Sequence, residues 1–247
     1  MGRGNKHGYN NHKIIMIKIK IADLTIGIDN KYSYTKEICA DYLTDEKQTD
    51  FQVSAAREEI SAEDDGSGFT EGYLESLAIY RKIAEKIGEY DGFLMHSVVL
   101  DVDGKGVAFS AKSGTGKSTH AAYWRRLLGD RCTVVNGDKP LVRIIDGRVY
   151  AYGTPWCGKE FLHTNMRTEL KAFCLINRSE DNHVVPMKPR TALTSLIAAV
   201  YHSPNQENYE RTLELMDFFL ERVKFYSIYC NMSLDAARTA YNAIWGS

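Results

Sequence analysis

The chain has no surplus of charge of either sign: its 247 residues carry 31 Lys plus Arg against 32 Asp plus Glu, a formal net charge of -1. A bulk positive field is therefore missing, and with it the electrostatic mark of a nucleic-acid or membrane-surface partner. No stretch approaches the roughly 20 apolar residues needed to span a bilayer. Residues 1–12 are polar and lack the apolar core of a secretory signal, and Lys6 stands where N-myristoylation wants Ser or Thr. The five cysteines (39, 132, 157, 174 and 230) are odd in number and form no C-x-x-C pair. No metal–sulfur site is implied, and they read as reduced thiols in a cytoplasmic protein. Internal repeats and low-complexity segments are lacking too.

What is present is an α/β composition with enough chain to bury a substantial core. Residues 1–13 read as a flexible tail and 14–247 as a single α/β domain, divided into an N-terminal ribbon and helix (14–90) and a core (91–247). Ile15, Ile17, Ile19 and Ile21 alternate with Lys18 and Lys20, the period of a strand with one solvated side. Further strands are expected near Leu24–Ile28 and Phe51–Ala55, giving an antiparallel ribbon. An acidic loop over Ser61–Gly68 and a helix from Glu71 lead to a core strand over Phe93–Leu100. Beyond it, strands are expected at Gly106–Ser110, Cys132–Val135, Leu141–Ile145, Arg148–Tyr152, Lys171–Ile176 and Phe225–Cys230, with Asp146-Gly147 as a hairpin turn. Helices are expected over Ser118–Leu128 and Thr191–His202. A third keeps Tyr209, Leu213, Met216, Leu220 and Val223 on one face, and a last one is capped by Ser233.

The octapeptide Ala111-Lys-Ser-Gly-Thr-Gly-Lys-Ser118, followed by Thr119, has the form of a phosphate-binding loop in all but its first residue. In the pattern G-x-x-x-x-G-K-S/T, between a buried strand and a helix, backbone N–H groups close around phosphate oxygens. Ser113, Gly114, Thr115, Gly116, Lys117, Ser118 and Thr119 are thus the expected nucleotide cradle. Lys117 supplies a charge for the β- and γ-phosphates, Ser118 a hydroxyl for Mg²⁺, and the helix its positive end. Ala111 replaces the first glycine by the smallest possible change.

Phosphoryl transfer also needs groups to hold the metal, neutralise charge and orient or deprotonate an acceptor. Asp138 ends the run Cys132-Thr-Val-Val-Asn-Gly-Asp, where a strand-end carboxylate is placed to hold Mg²⁺; N-G-D-K-P is also ordinary turn composition. His96 interrupts an apolar run, and a buried histidine needs a partner or a purpose. In the loop Gly153-Thr-Pro-Trp-Cys-Gly-Lys-Glu160, Lys159 is a candidate for neutralising phosphoryl charge and Glu160 for the metal; the alternative reading is that Pro155 and Trp156 merely shape and plug a turn. Cys157 is read as packing.

The order His96-Ser-Val-Val-Leu-Asp-Val-Asp-Gly104-x-Gly106, then the loop, then an aspartate about 20 residues on, resembles the catalytic domain of HPr kinase/phosphorylase. It also resembles the related core of ATP-dependent phosphoenolpyruvate carboxykinase. The match covers roughly residues 93 to 160. It implies a mixed β-sheet flanked by helices, with ATP and Mg²⁺ as cofactors and transfer of the γ-phosphoryl to a serine-like hydroxyl. The positions matching Lys117 and Ser118 then hold phosphates and metal, and a downstream glutamate serves the metal. The family's paired aspartate supplies base and metal ligand, but here Gly137 stands in place of the first, leaving Asp138, His96 or Glu160 to share the duties. The family's HPr-binding elements are not recognisable, so the acceptor is expected to be a peptide, protein or small hydroxyl compound. Pyrophosphate as donor, a homo-oligomer, a carboxykinase-type reaction and a nucleotide-binding regulator without transfer remain open alternatives.

Overall fold

The computed structural model describes residues 15–112 and 114–246; the expected tail over 1–13 and Ser113 lie outside the described residues. The chain divides into two compact units. One takes Thr25–Lys82 with the described chain up to Ile19, and the other takes Lys20–Leu24 with the chain from Ile83 onward.

The first unit is built on a three-stranded sheet, β1 (Ile15–Ile21), β2 (Leu24–Asn30) and β3 (Phe51–Ser54), in that order. Ala22 and Asp23, with φ of 54° and 57°, form the two-residue left-handed turn that folds β2 back along β1. β3 runs parallel to β2, with Ile26 opposite Phe51 and Asp29 opposite Ser54. The expected antiparallel ribbon therefore holds only for the first two strands. The connection to the third passes through α1 (Ser33–Ile38) and a 3-10 turn at Ala40–Tyr42, and a crossover of this kind returns a strand parallel. α2 (Arg57–Ala62) takes the start of what the sequence suggests is loop, and α3 (Glu71–Lys86) forms as expected. The enclosed Glu75 carboxylate accepts from the Lys31 and Tyr32 amides at 2.7 and 3.0 Å, satisfying backbone donors ahead of α1.

The second unit carries a nine-stranded mixed sheet. Its main path runs β4 (Gly92–Leu94), β8 (Leu141–Ile145), β9 (Arg148–Tyr152), β10 (Arg167–Arg178), β6 (Lys105–Ser110), β5 (Val98–Val102), β7 (Cys132–Asn136). β12 (Lys224–Cys230) lies parallel to the C-terminal half of β10, and β11 (His183–Pro186) pairs antiparallel with β12. β6, β10 and β12 are thus a parallel trio inside an otherwise antiparallel sheet. Strands buried on both faces read as continuous apolar runs. Accordingly Val107 and Phe109 of β6 join a core with Trp124 of α4 (Lys117–Leu128) and Ala236, Ala237 and Ala240 of α7 (Leu234–Trp245). Ala108 faces the other way, toward Leu196 of α5 (Pro189–Ala199) and Leu215, Met216 and Phe219 of α6 (Gln206–Arg222). This makes three layers, helix, sheet and helix.

Local signals explain most boundaries. Gly129 ends α4 with φ of 58°, and Asp146-Gly147 turns β8 into β9 with φ of 49° and 71°. Asn205 and Ser233 cap α6 and α7 by accepting from Asn208 N at 3.0 Å and Ala236 N at 3.2 Å. Two expectations are corrected. The buried face of α6 is Thr212, Leu215, Met216 and Phe219, while Tyr209 and Leu213 are exposed, because Phe219 packs against Phe93, Phe173 and Phe225 and fixes the rotation of the helix. The expected strand Phe93–Leu100 is two strands, interrupted at Met95–Ser97 by backbone hydrogen bonds to distant segments.

Gly153 shows how closely the loop after β9 is packed. A Cβ there would stand 1.9 Å from the Thr164 carbonyl oxygen and 2.6 Å from that of Val135. Both obstacles are backbone, so relief requires moving a segment. Gly153→Ala is expected to cost about 3 kcal/mol, seen as a lower urea midpoint at unchanged slope.

Candidate functional site

The strand–loop–helix segment at the C-terminal ends of the parallel trio has the build of an anion cradle. β6 ends at the buried Ser110, and the chain turns through Gly114 and Gly116, whose φ values of 73° and 116° favour glycine, into α4. Ala111, at the head of the loop, is not in the left-handed region, so glycine is not required there. The first helical bond of α4 is from His120 N to Gly116 O at 2.9 Å. Lys117, Ser118 and Thr119 precede it, and their amides have no acceptor within the helix. No side chain caps this terminus and its first turn contains no acid. Free amides and the helix dipole together favour an anion.

Lys117, His96 and Asp138 meet beside this loop. Lys117 Nζ lies 3.3 Å from His96 Nε2, and His96 Nε2 lies 2.9 Å from Asp138 Oδ1. The second Asp138 oxygen accepts from Lys139 Nζ at 2.6 Å. His96 Nε2 either donates its proton to Asp138 or, unprotonated, accepts from Lys117. Burial acts to raise the pKa of Asp138, but the His96 hydrogen bond and the Lys139 charge outweigh it and hold the carboxyl well below the usual range. Burial lowers the pKa of the half-buried Lys117 ammonium; the Asp138 charge opposes this and that of Lys139 adds to it.

The histidine is not the buried strand residue that its apolar neighbours suggest. His96 lies in the gap between β4 and β5, with 48% of its side chain exposed. Met95 N donates to Pro140 O at 3.1 Å, His96 N to Ala199 O at 2.6 Å, and Ser97 N to Asp138 O at 2.9 Å. These bonds to partners outside the sheet keep the gap open and turn the imidazole toward the loop.

Asn136 forms the turn that presents Asp138, and sequence reasoning missed it. Its side chain is buried; Oδ1 accepts from Asp138 N and Lys139 N at 2.8 and 2.7 Å, while Nδ2 donates to Thr154 O and Oγ1, each at 3.0 Å. The N-G-D-K-P composition signalled a turn but not which side chain ties it. At Gly137, a Cβ would stand 2.8 Å from Cys157 O and 3.1 Å from Leu162 O. Gly137 N also donates to Leu162 O at 2.9 Å, so an aspartate at this position does not fit the present loop.

The loop after β9 divides the remaining candidates. Trp156 and Cys157 are buried, and desolvation pushes the Cys157 thiol up to about 11, with the Asp138 charge adding to the shift. Glu160, though exposed, lines a small cavity together with Ser118. Lys159 is exposed, and among the described residues it has no ion pair or hydrogen bond to the cluster. The geometry thus brings Lys117, His96 and Asp138 together, places Glu160 and Ser118 in one cavity, and leaves Lys159 apart. Of the cradle residues, Ser113 lies outside the described residues.

Arg178, at the C-terminal end of β10, was also missed, because the expected strand stopped at Ile176. Its Nε donates to Thr115 O at 3.3 Å and its Nη2 to Gly114 O, tying the guanidinium to the loop. Two clefts open beside the loop and share Arg178. The larger, about 1100 Å³, is lined by His96, Lys112, Asn177, Thr194, Ser195 and Tyr229, among others; the smaller, about 280 Å³, runs past Thr119, His120, Tyr123 and Met232. No group of three or more metal-binding side chains occurs among the described residues. The Asp138 carboxylate and, separately, the Ser118 hydroxyl are oxygen donors of the kind Mg²⁺ takes, one or two from protein with phosphates and water completing its shell.

The fold and site thus define an α/β protein with a cationic loop at the ends of parallel strands and, beside it, an ionised carboxylate in the turn after β7. No family model and no curated protein matches the sequence. Among solved structures, the Hpr(Ser) kinase/phosphatase from Coxiella burnetii is similar at a TM-score of 0.34 and 14% identity, covering 61% of this chain and 95% of that one. That likeness is too distant to assign a role to any residue.

The depressed pKa of Asp138 fixes the sign of its pH dependence. Its partners stabilise the folded state fully above the ordinary aspartate pKa of about 3.9, and that contribution fades as pH falls through the lower folded value. Urea titrations of wild type and Asp138→Asn are therefore expected to differ by a constant amount above about pH 4, to draw together progressively below it, and to meet only as the pH reaches the lower folded value.

Proposed function

We propose that the protein transfers the γ-phosphoryl group of Mg·ATP to a hydroxyl on a peptide, protein or small molecule. The observation that carries this reading is the convergence of Lys117, His96 and Asp138 at the bare N-terminus of α4. The loop amides and Lys117 hold the phosphates and offset the charge that builds on the transferring group. Asp138, held ionised, is suited to the metal rather than to removing a proton, and Ser118 and Glu160 complete the protein's share of that site. Bound there, Mg²⁺ would supply neutralising charge to the phosphates.

His96 is the group placed to activate the acceptor. With Asp138 committed to the metal, unprotonated Nε2 accepts the hydroxyl proton as the acceptor oxygen bonds to phosphorus. The bond to the β-phosphate oxygen breaks, and its electron pair leaves with ADP. The acceptor enters through the larger cleft, which His96 lines. A second reading, nucleotide binding without efficient transfer, is favoured by one observation, the packed Gly137 in place of a second carboxylate.

Incubation with γ-labelled ATP, Mg²⁺ and cell extract separates the two. Label is expected in a peptide, protein or metabolite and should vanish in Lys117→Ala and Asp138→Asn. His96→Gln should lower transfer by about 10²-fold or more while leaving ATP affinity within about threefold. Tight ATP binding with no labelled product, unaffected by Asp138→Asn, would sink the kinase reading. Ala111→Gly should leave ATP affinity nearly unchanged, measured by calorimetry, since residue 111 needs no glycine conformation.

A further inference from the structure

We infer that the 280 Å³ cleft between α4 and the ends of β10 and β12 is the nucleoside site of the donor. The inference rests on the phosphate-binding reading above and adds a direction to it. The two clefts share Thr115, Ile176 and Arg178, but only the larger reaches His96 and only the smaller reaches Gly116 and Thr119. His96 contacts Lys117, whose counterpart in such loops reaches the β- and γ-phosphates, so the reactive end of the chain of phosphates points toward the larger cleft. The α-phosphate end must then leave on the opposite side, past Gly116 and Thr119. Both residues line the smaller cleft, together with His120, Tyr123, Ile176, Ser179 and Met232.

The chemistry of this slot suits a flat base with a sugar at its mouth. Its size is close to the lower end of small-molecule pockets, roughly 300 to 1,000 Å³. Ile176 and the 72%-exposed Met232 offer apolar contact, and the Tyr123 hydroxyl donates to Met232 O at 3.1 Å, bracing one wall. His120 forms the floor. Burial pushes its pKa down to about 4, and Trp124 Nε1 donates to its Nε2 at 3.0 Å, so it is a neutral imidazole carrying its proton on Nδ1. Arg178 stands where the two clefts meet, at the level of the phosphates. A neutral floor and apolar walls beside a cationic junction fit a nucleoside attached to a polyphosphate better than a second anion.

The test compares Mg·ATP with Mg·tripolyphosphate, which has the phosphates and no nucleoside, by calorimetry on wild type and Ser179→Trp. Trp at 179 fills the slot without touching Lys117, His96 or Asp138. Wild type is expected to bind ATP about tenfold or more tightly than tripolyphosphate. Ser179→Trp should erase that advantage while holding tripolyphosphate within about twofold of wild type, which also shows that the variant is folded. Equal wild-type affinities for the two ligands, or an undiminished preference for ATP in Ser179→Trp, would overturn the slot assignment while leaving the phosphate site standing. Failure of wild type to bind either ligand would overturn both. Should tripolyphosphate affinity fall with that of ATP, Met232→Ala decides. A selective loss for ATP in that variant supports the slot, and an unchanged ratio rejects it.

Discussion

The arrangement of the site depends on the amide of Asn136. Its two donor and two acceptor directions are all used inside the protein: two bonds to Thr154 and one each from the amides of Asp138 and Lys139. That side chain fixes the turn after β7. The turn in turn offers the Asp138 and Pro140 carbonyls to Ser97 and Met95, and so sets the gap from which His96 projects. A buried amide with every bond made specifies one geometry, whereas removing it would strand several enclosed donors and acceptors at once. The carboxylate and the imidazole are therefore positioned by one polar knot, while Lys117 is placed independently by the helix that follows the loop.

The same knot explains why the carboxylate stands alone. The loop from Gly153 to Glu160 folds over the turn so closely that Gly137 and Gly158 both face backbone or the Asp138 side chain. Space that a second acid would need is occupied by the Cys157 and Leu162 carbonyls. With the one acid held ionised by its cationic neighbours, the exposed imidazole of His96 is a contacting group of different chemistry, and the transfer proposed above assigns the proton to it.

Much of this was legible in the chain because it is local. The loop, its preceding strand and its helix are specified by adjacent residues, as are the Asp146-Gly147 turn and the Ser233 cap. What escaped was set by partners far away in sequence. Nothing within Phe93–Leu100 signals that the ladder stops for three residues; the cause is Ala199, Asp138 and Pro140. Arg178 lay two residues past the expected end of its strand because Asn177 and Arg178 look like loop, whereas pairing with β12 extends the ladder to Arg178. The direction of β3 depended on how α1 crosses over, and the rotation of α6 on the packing of Phe219 among Phe93, Phe173 and Phe225.

Arg178 carries one further consequence. Among the described residues the guanidinium has no carboxylate partner; its bonds go to the neutral carbonyls of Gly114 and Thr115. Neutral acceptors take two of its five N–H donors and leave its charge uncompensated. The loop is thus latched by a cation whose charge no described carboxylate offsets. A ligand that draws Arg178 onto its own oxygens also releases two loop carbonyls, so the rigidity of the cradle and its occupancy compete for the same side chain.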